Sequence, residues 1–223
     1  MAEFEISSRE SAILIGTILG DSHLAMLKSG ARLEVVHSEK QYAYVWWKYM
    51  EFQRVTSAPP HCLYISDKRY KKTYTQWRFK TRVNSMFTHL HHQFYSRKGK
   101  KVIPQNISSL LTSPLALAVL YMDDGGRRND SYGVFLNTLS FTKRENHLLA
   151  TCLKENFSLE ARIHWIQDGY RLYIPSAYAQ QFSELVDPYL IPSMKYKLPY
   201  NPVTTSFARL DRARDRRRVS SLL

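Results

Sequence analysis

The chain has 223 residues, 44% of them apolar, enough for one compact domain or two small ones with a sizeable core. Lysine and arginine number 32 against 19 for aspartate and glutamate, and a net charge of +13 calls for a polyanionic partner: DNA, RNA or an anionic surface. No apolar run is long enough to span a bilayer, no secretory segment follows the acidic start Met1-Ala2-Glu3-Phe4-Glu5, and the only two cysteines, Cys62 and Cys152, read as buried reduced thiols outside any zinc-finger spacing.

The first predicted element is an apolar helix from Ser11 to Gly20, opened by the capping-box pattern Ser7-Ser8-Arg9-Glu10 and ending at Asp21. Ala12, Ile13, Leu14, Ile15, Ile18 and Leu19 cover most of its surface, so it is buried on most sides. Gly16 and Gly20 share one face and permit close approach of a second helix. A strand over Arg32 to Val36 leads into a second capping-box pattern, Ser38-Glu39-Lys40-Gln41, and an amphipathic helix from Tyr42 to Phe52.

The basic, aromatic run that follows alternates with period two from Thr73 to Arg82 and predicts a strand. Tyr74, Gln76, Arg78, Lys80 and Arg82 share one face, and Thr73, Thr75, Trp77, Phe79 and Thr81 the other. The first face, with Lys72 ahead of it, offers cations and an amide to phosphates and base edges. His89, His91 and His92 read as the polar face of a helix rather than a metal site. Lys100-Lys101-Val102-Ile103-Pro104 closes this half.

The landmarks then recur in order. Ser113-Pro114 starts a second apolar helix, Leu115 to Met122, which ends in Asp123-Asp124 with Gly125-Gly126 as its stop. A strand over Gly133 to Asn137 precedes the capping-box pattern Thr142-Lys143-Arg144-Glu145 and an amphipathic helix from His147 to Phe157. Ala161 to Ile166 and Tyr170 to Ile174 flank a Gln167-Asp168-Gly169 turn, a hairpin signal. Lys195-Tyr196-Lys197-Leu198-Pro199 repeats the lysine–proline landmark. Two units of helix, two strands, helix, two strands and helix result, over 1–101 and 102–200. A basic tail over 201–223, with Arg209, Arg212, Arg214, Arg216, Arg217 and Arg218, reads as solvated.

An aspartate at a helix C-terminus sits at the negative end of the macrodipole beside unpaired carbonyls. A divalent cation reverses the sign of that arrangement, since it takes oxygen ligands from carboxylate and carbonyl alike. Two parallel packed helices would make Asp21 and Asp124 neighbours, within reach of shared or adjacent metal ions.

Leu14-Ile15-Gly16-Thr17-Ile18-Leu19-Gly20-Asp21-Ser22 and Leu117-Ala118-Val119-Leu120-Tyr121-Met122-Asp123-Asp124-Gly125 resemble the two motifs of the LAGLIDADG homing endonucleases, in the monomeric two-motif form. The resemblance runs from about Ser11 to Pro199 and includes the two lysine–proline segments. It departs at Val119, where the motif has glycine, and at Ser22, where the first copy loses its terminal glycine; Val119 is expected to be accommodated opposite Gly16. The resemblance implies an α+β fold of two pseudo-symmetric αββαββα halves, with curved antiparallel sheets forming a DNA-binding saddle and the motif helices packed at the interface.

It further implies a monomeric, metal-dependent endonuclease that cuts both strands of a long, non-palindromic duplex with short 3′ overhangs. Asp21 and Asp124 would be the side-chain ligands of Mg²⁺ (or Mn²⁺), the Gly20 and Asp123 carbonyls backbone ligands, and Lys101 and Lys197 the lysines at the two phosphates. Arg127 and Arg128, which directly follow the second motif, and Lys195 are expected to be further DNA contacts. The rivals are a maturase acting on its host intron RNA, a noncatalytic DNA-binding regulator lacking the aspartates, and a membrane-surface protein, which the paired motifs leave unexplained. The Met1 start is read as a free-standing gene rather than an intein, in a chloroplast or mitochondrion if organelle-encoded, otherwise in a bacterial cytoplasm.

Overall fold

The computed structural model describes residues 4–67, 69 and 71–199. The arginine-rich tail, together with Lys68, Tyr70 and Tyr200, lies outside the described residues.

Helix α1 (Ser8–Leu19) starts with both hydrogen bonds of a capping box: the Glu10 amide donates to Ser7 Oγ, and the Ser7 amide to the Glu10 carboxylate at 2.8 Å. Strands β1 (His23–Leu27) and β2 (Gly30–Ser38) form a hairpin, α2 (Tyr42–Glu51) follows, and β3 (His61–Asp67) and β4 (Lys72–Lys80) form a second hairpin. Helix α3 (Ser85–Phe94) and the short α4 (Ile107–Leu110) lead into α5 (Pro114–Asp124), capped by Ser113 with proline at its first turn. The pattern then repeats: β5 (Gly125–Arg127), β6 (Val134–Leu136), α6 (Lys143–Phe157), β7 (Arg162–Ile166), β8 (Gly169–Ile174) and α7 (Ala179–Val186).

The two sheets share one topology. Their antiparallel orders are β1-β2-β4-β3 and β5-β6-β8-β7. Alternation sets one face of each against helices. Ala31, Leu33, Val35 and Phe79 are buried in the first sheet, and Val134, Leu136, Leu172 and Ile174 in the second. The apolar helices α1 and α5 lie between the halves and are buried almost throughout, as helices with no polar stripe must be. Among the described residues no helix is long and apolar enough to cross a membrane.

Three local expectations need correction. Ser38 makes no capping hydrogen bond; Glu39–Gln41 form a 3-10 turn instead, and the Gln41 side chain is taken up by His37. Strand β4 ends at Lys80, so Arg82 leaves the alternating face. Helix α5 runs two residues further, through Asp124, and Gly125 continues as extended backbone into β5 rather than turning left-handed. The capping box at Thr142 and Glu145 forms in full.

The closest helix contact is set at Gly16. A Cβ there would lie 2.3 Å from the Ala116 carbonyl oxygen and 2.8 Å from Val119 Cβ, so the glycine makes room for the valine that departs from the motif. We expect Gly16→Ala to destabilise the protein by roughly 1–3 kcal/mol through overpacking, or about 2–4 °C in Tm per kcal/mol. Gly126→Ala, whose Cβ would meet nothing within 4 Å, is the control in the same thermal melt.

Candidate active site and nucleic-acid interface

Helices α1 and α5 converge at their C-termini. A Cβ added at Gly20 would lie 2.4 Å from Asp123 Cβ, and the Asp21 amide donates to Asp123 Oδ2 at 3.2 Å. Three carboxylates, Asp21, Asp123 and Asp124, therefore crowd two helix ends that already carry partial negative charge. Burial, then the charges of Asp21 and Asp123, push the Asp124 carboxyl up to about 7. Burial and the Asp123 charge likewise raise Asp21 above the ordinary range.

Two lysines answer this charge, one at each helix end. Lys101 Nζ donates to the carbonyls of Gly20, at 2.7 Å, and Ser22, at 3.0 Å. Lys197 Nζ donates to the carbonyls of Met122, at 2.5 Å, and Asp123, at 3.2 Å. Burial lowers the pKa of both ammonium groups, and the three aspartates oppose that shift. Lys197 is anchored further by the Tyr121 hydroxyl, which donates to its carbonyl oxygen. The residues expected at the metal, Gly20, Asp21, Asp123 and Asp124, thus come together with both expected lysines.

The Asp123 side chain takes a different part from Asp21 and Asp124. It is fully buried and paired with Lys48, whose Nζ lies 2.8 and 3.0 Å from its two oxygens. Burial works to raise its pKa, but Lys48 and His37 hold it below the ordinary range. Lys48 Nζ also donates to Thr17 Oγ1 and lies 3.2 Å from His37 Nε2. His37, lowered to about 4 by burial and by Lys48, is neutral at neutral pH. Asp21, His37 and Asp123 each offer an atom within 4.8 Å of the others. The Lys48 ammonium already bonds two of the three, so the side chains left for a divalent cation are the Asp21 and Asp124 carboxylates; the Gly20 and Asp123 carbonyls already accept from Lys101 and Lys197 and would offer a cation their second lone pair. The crowding and raised pKa values of the two carboxylates fit a cation there.

Sequence patterning did not point to Lys48, His37 or Thr17 as members of the centre. A signal existed: Tyr44, Val45, Lys48 and Phe52 share the buried face of α2, and a lysine on such a face needs a partner.

The open face of the first sheet carries Gln76, Arg78 and Lys80 opposite Ser38, Val36 and Glu34 on β2. Lys72 and the half-exposed Tyr74 extend it. Lys80 and Arg32 both pair with Glu34, and Arg78 Nε donates to His61 Nε2. Arg82 is committed elsewhere: its guanidinium lies 3.8 Å from the Phe4 ring centroid and donates to the Arg54 carbonyl. In the second half, Arg127 is exposed on β5, Arg128 pairs with Asp130, and Lys195 pairs with Asp187. The second open face also holds groups not anticipated from the sequence. Arg171 lies 3.6 Å over the Phe135 ring, and Tyr173 packs between Phe135 and His164. On α3, His89 bonds Gln93 and His91 stacks on Tyr95.

The model of the LAGLIDADG DNA endonuclease family matches residues 11–182. The chain is 30% identical over 201 residues to "Probable intron-encoded endonuclease 1" of Wickerhamomyces canadensis, covering 88% of this chain and 86% of that one. It is 37% identical over 123 residues to "Cytochrome b mRNA maturase bI2" of Debaryomyces hansenii, covering 54% of this chain and 45% of the relative. Among solved structures, "The homing endonuclease I-WcaI bound to its DNA recognition sequence" superposes with a TM-score of 0.82 at 29% identity, covering 89% of both chains. The chain belongs to the LAGLIDADG DNA endonuclease family.

The crowded carboxylates make stability without metal depend on pH. Folded Asp124 keeps its proton to about 7, whereas the unfolded chain releases it near 3.8. The folded state binds more protons between those values, so stability falls as pH rises from about 4 through about 7. In EDTA, Asp124→Asn should melt above the parent protein at pH 8, with the gap closing toward pH 4 in a fluorimetric melt.

Proposed function

We propose that this LAGLIDADG family member is a site-specific endonuclease that hydrolyses one phosphodiester on each strand of a long, non-palindromic DNA duplex, the cut that initiates movement of a host intron. The observation that carries this reading is the pair Asp21 and Asp124 at converging helix ends, with Lys101 on one end and Lys197 on the other. Asp21, Asp124 and the carbonyls of Gly20 and Asp123 would hold Mg²⁺, or Mn²⁺ in its place. Such an ion lowers the pKa of the attacking water and stabilises charge on the phosphate.

The chain's own groups supply the rest. Lys101 and Lys197 each stand at one helix end, where an ammonium can orient water or offset charge on the nearer phosphate. Lys72, Tyr74, Gln76, Arg78 and Lys80 face the duplex from the first sheet. Arg127 and Arg128, with Arg171 and Tyr173 behind them, face it from the second. These two sets differ in chemistry, so the half-sites they read differ in sequence. Likeness to a cytochrome b mRNA maturase supports a second reading, in which the same chain also binds its host intron RNA. Splicing assays with that RNA, run beside cleavage of the fused intron flanks, separate the two.

Asp21→Asn and Asp124→Asn should each abolish double-strand cleavage while leaving DNA binding in EDTA intact, because the amide keeps shape but loses the charge a hard cation needs. Lys101→Met and Lys197→Met should each slow one strand more than the other in a nicking assay with differently labelled strands. Equal slowing of both strands counts against one lysine per phosphate. Affinity should fall by roughly a thousandfold between 50 and 200 mM salt, as expected for an interface dominated by phosphate contacts; an affinity that holds steady in a filter-binding titration contradicts such an interface.

A further inference from the structure

We propose that Lys48 and Asp123 form a one-sided clamp that positions Asp21, so that the two halves of the centre are chemically unequal. The strand-resolved part of this inference rests on the nuclease reading above; its structural part does not.

The pair is completely buried on both sides. Such a pair adds little to stability over an apolar pair of the same volume, so its presence calls for another role. Its contacts indicate one. Asp123 Oδ2 accepts hydrogen bonds from Thr17 Oγ1, at 3.1 Å, and from the main-chain amide of Asp21, at 3.2 Å. Lys48 fixes Asp123, Asp123 fixes the backbone at Asp21, and His37 Nδ1 lies 3.7 Å from Asp21 Oδ2 on the remaining side. Thr17 is held in turn by Ser22, whose hydroxyl lies 2.8 Å away. The clamp crosses between halves: Asp123 is on α5, while Thr17 and Asp21 belong to the first motif.

Among the described residues no side chain forms an equivalent clamp on Asp124. The residue before Asp21 is Gly20, which has no side chain to return the contact and cannot gain one without striking Asp123. Helix α6 buries Asn146, Leu149, Cys152, Leu153 and Phe157, none of them a cation. By strand register Thr138 takes the place of His37, and it bonds Asn146 in a neutral pair. Asp21 is therefore held through a charged side-chain network, whereas Asp124 is held through the main chain: its carbonyl accepts from the Asn137 amide, and Lys197 bonds the carbonyls of Met122 and Asp123 ahead of it.

The test uses three variants: Lys48→Met, Asp123→Asn, and the double variant Lys48→Met/Asp123→Leu, which replaces the ion pair with apolar groups. Four properties are measured: Tm, exchange of the Asp21 amide hydrogen in metal-free protein, DNA affinity in EDTA, and strand-resolved nicking. The double variant should recover the Tm lost by Lys48→Met. Exchange at Asp21 should be at least tenfold faster in the double variant and in Asp123→Asn. DNA affinity should stay within twofold. The ratio of the two nicking rates should shift at least tenfold, the slowed strand being the one that Asp21→Asn also slows more. Asp123→Asn, which keeps the shape of the side chain, carries the test should the double variant fail to fold. Unchanged Asp21 exchange overturns the clamp, as does equal slowing of both strands in variants that remain folded. The exchange measurement needs neither metal nor DNA, so it stands or falls separately from the nuclease reading.

Discussion

Packing α1 against α5 over Gly16 brings two negative helix ends and three carboxylates to one place, and the rest of the molecule is arranged around that concentration of charge. The lysines at that place come from outside the two helices. Lys48 comes from α2, Lys101 from the segment after α3, and Lys197 from the 3-10 turn Pro192–Lys197. Peripheral elements are thereby tied to the interface by charge as well as by apolar contact. The three lysines act on different groups: Lys48 bonds a carboxylate, while Lys101 and Lys197 bond carbonyls. Among the described residues no lysine bonds the Asp21 or Asp124 side chain, which leaves their oxygens open in the way a divalent cation would need.

The repeated order of elements was legible in the sequence because each landmark has a local cause. A capping residue, an apolar run that ends in aspartate and a two-residue hairpin loop are fixed by neighbours a few positions away. The face assignment of β4 was legible for the same reason, as period-two alternation sets Phe79 inward and Gln76, Arg78 and Lys80 outward. The pairing of the halves rested on Gly16, whose role depends on nothing beyond its lack of a side chain.

What stayed hidden depended on long-range partners. Ser38 and Gln41 have the spacing of a capping box, but Gln41 is drawn to His37 and the box does not close. Arg82 has the right parity, yet the N-terminal segment at Phe4 captures it. Lys48 sits 75 residues from Asp123, and no local pattern joins them. The aromatic and arginine cluster of the second sheet arises from β6, β7 and β8 together, so its members looked like ordinary strand residues. Helix ends, turns and strand faces are written locally, whereas the charge network that distinguishes one half from the other is written across the fold.

That difference bears on how recognition and chemistry connect. Strand β2 presents Arg32, Glu34 and Val36 on its open face and carries His37 on its covered face, beside Asp21 and the Lys48–Asp123 pair. It lies between β1 and β4, so hydrogen bonds on both sides fix its height and register. A duplex seated on the first sheet would therefore lean on a strand whose other face touches the centre. The matching strand in the second half, β6, carries Phe135 outward, and just beyond its end Thr138 turns to Asn146 and not to Asp124. In such a complex the first sheet would reach Asp21 through a side chain on β2, whereas the second would reach Asp124 through the main chain, where the Asn137 amide bonds the Asp124 carbonyl. A pseudo-symmetric fold can in this way place two similar aspartates under unequal control, without any difference between the aspartates themselves.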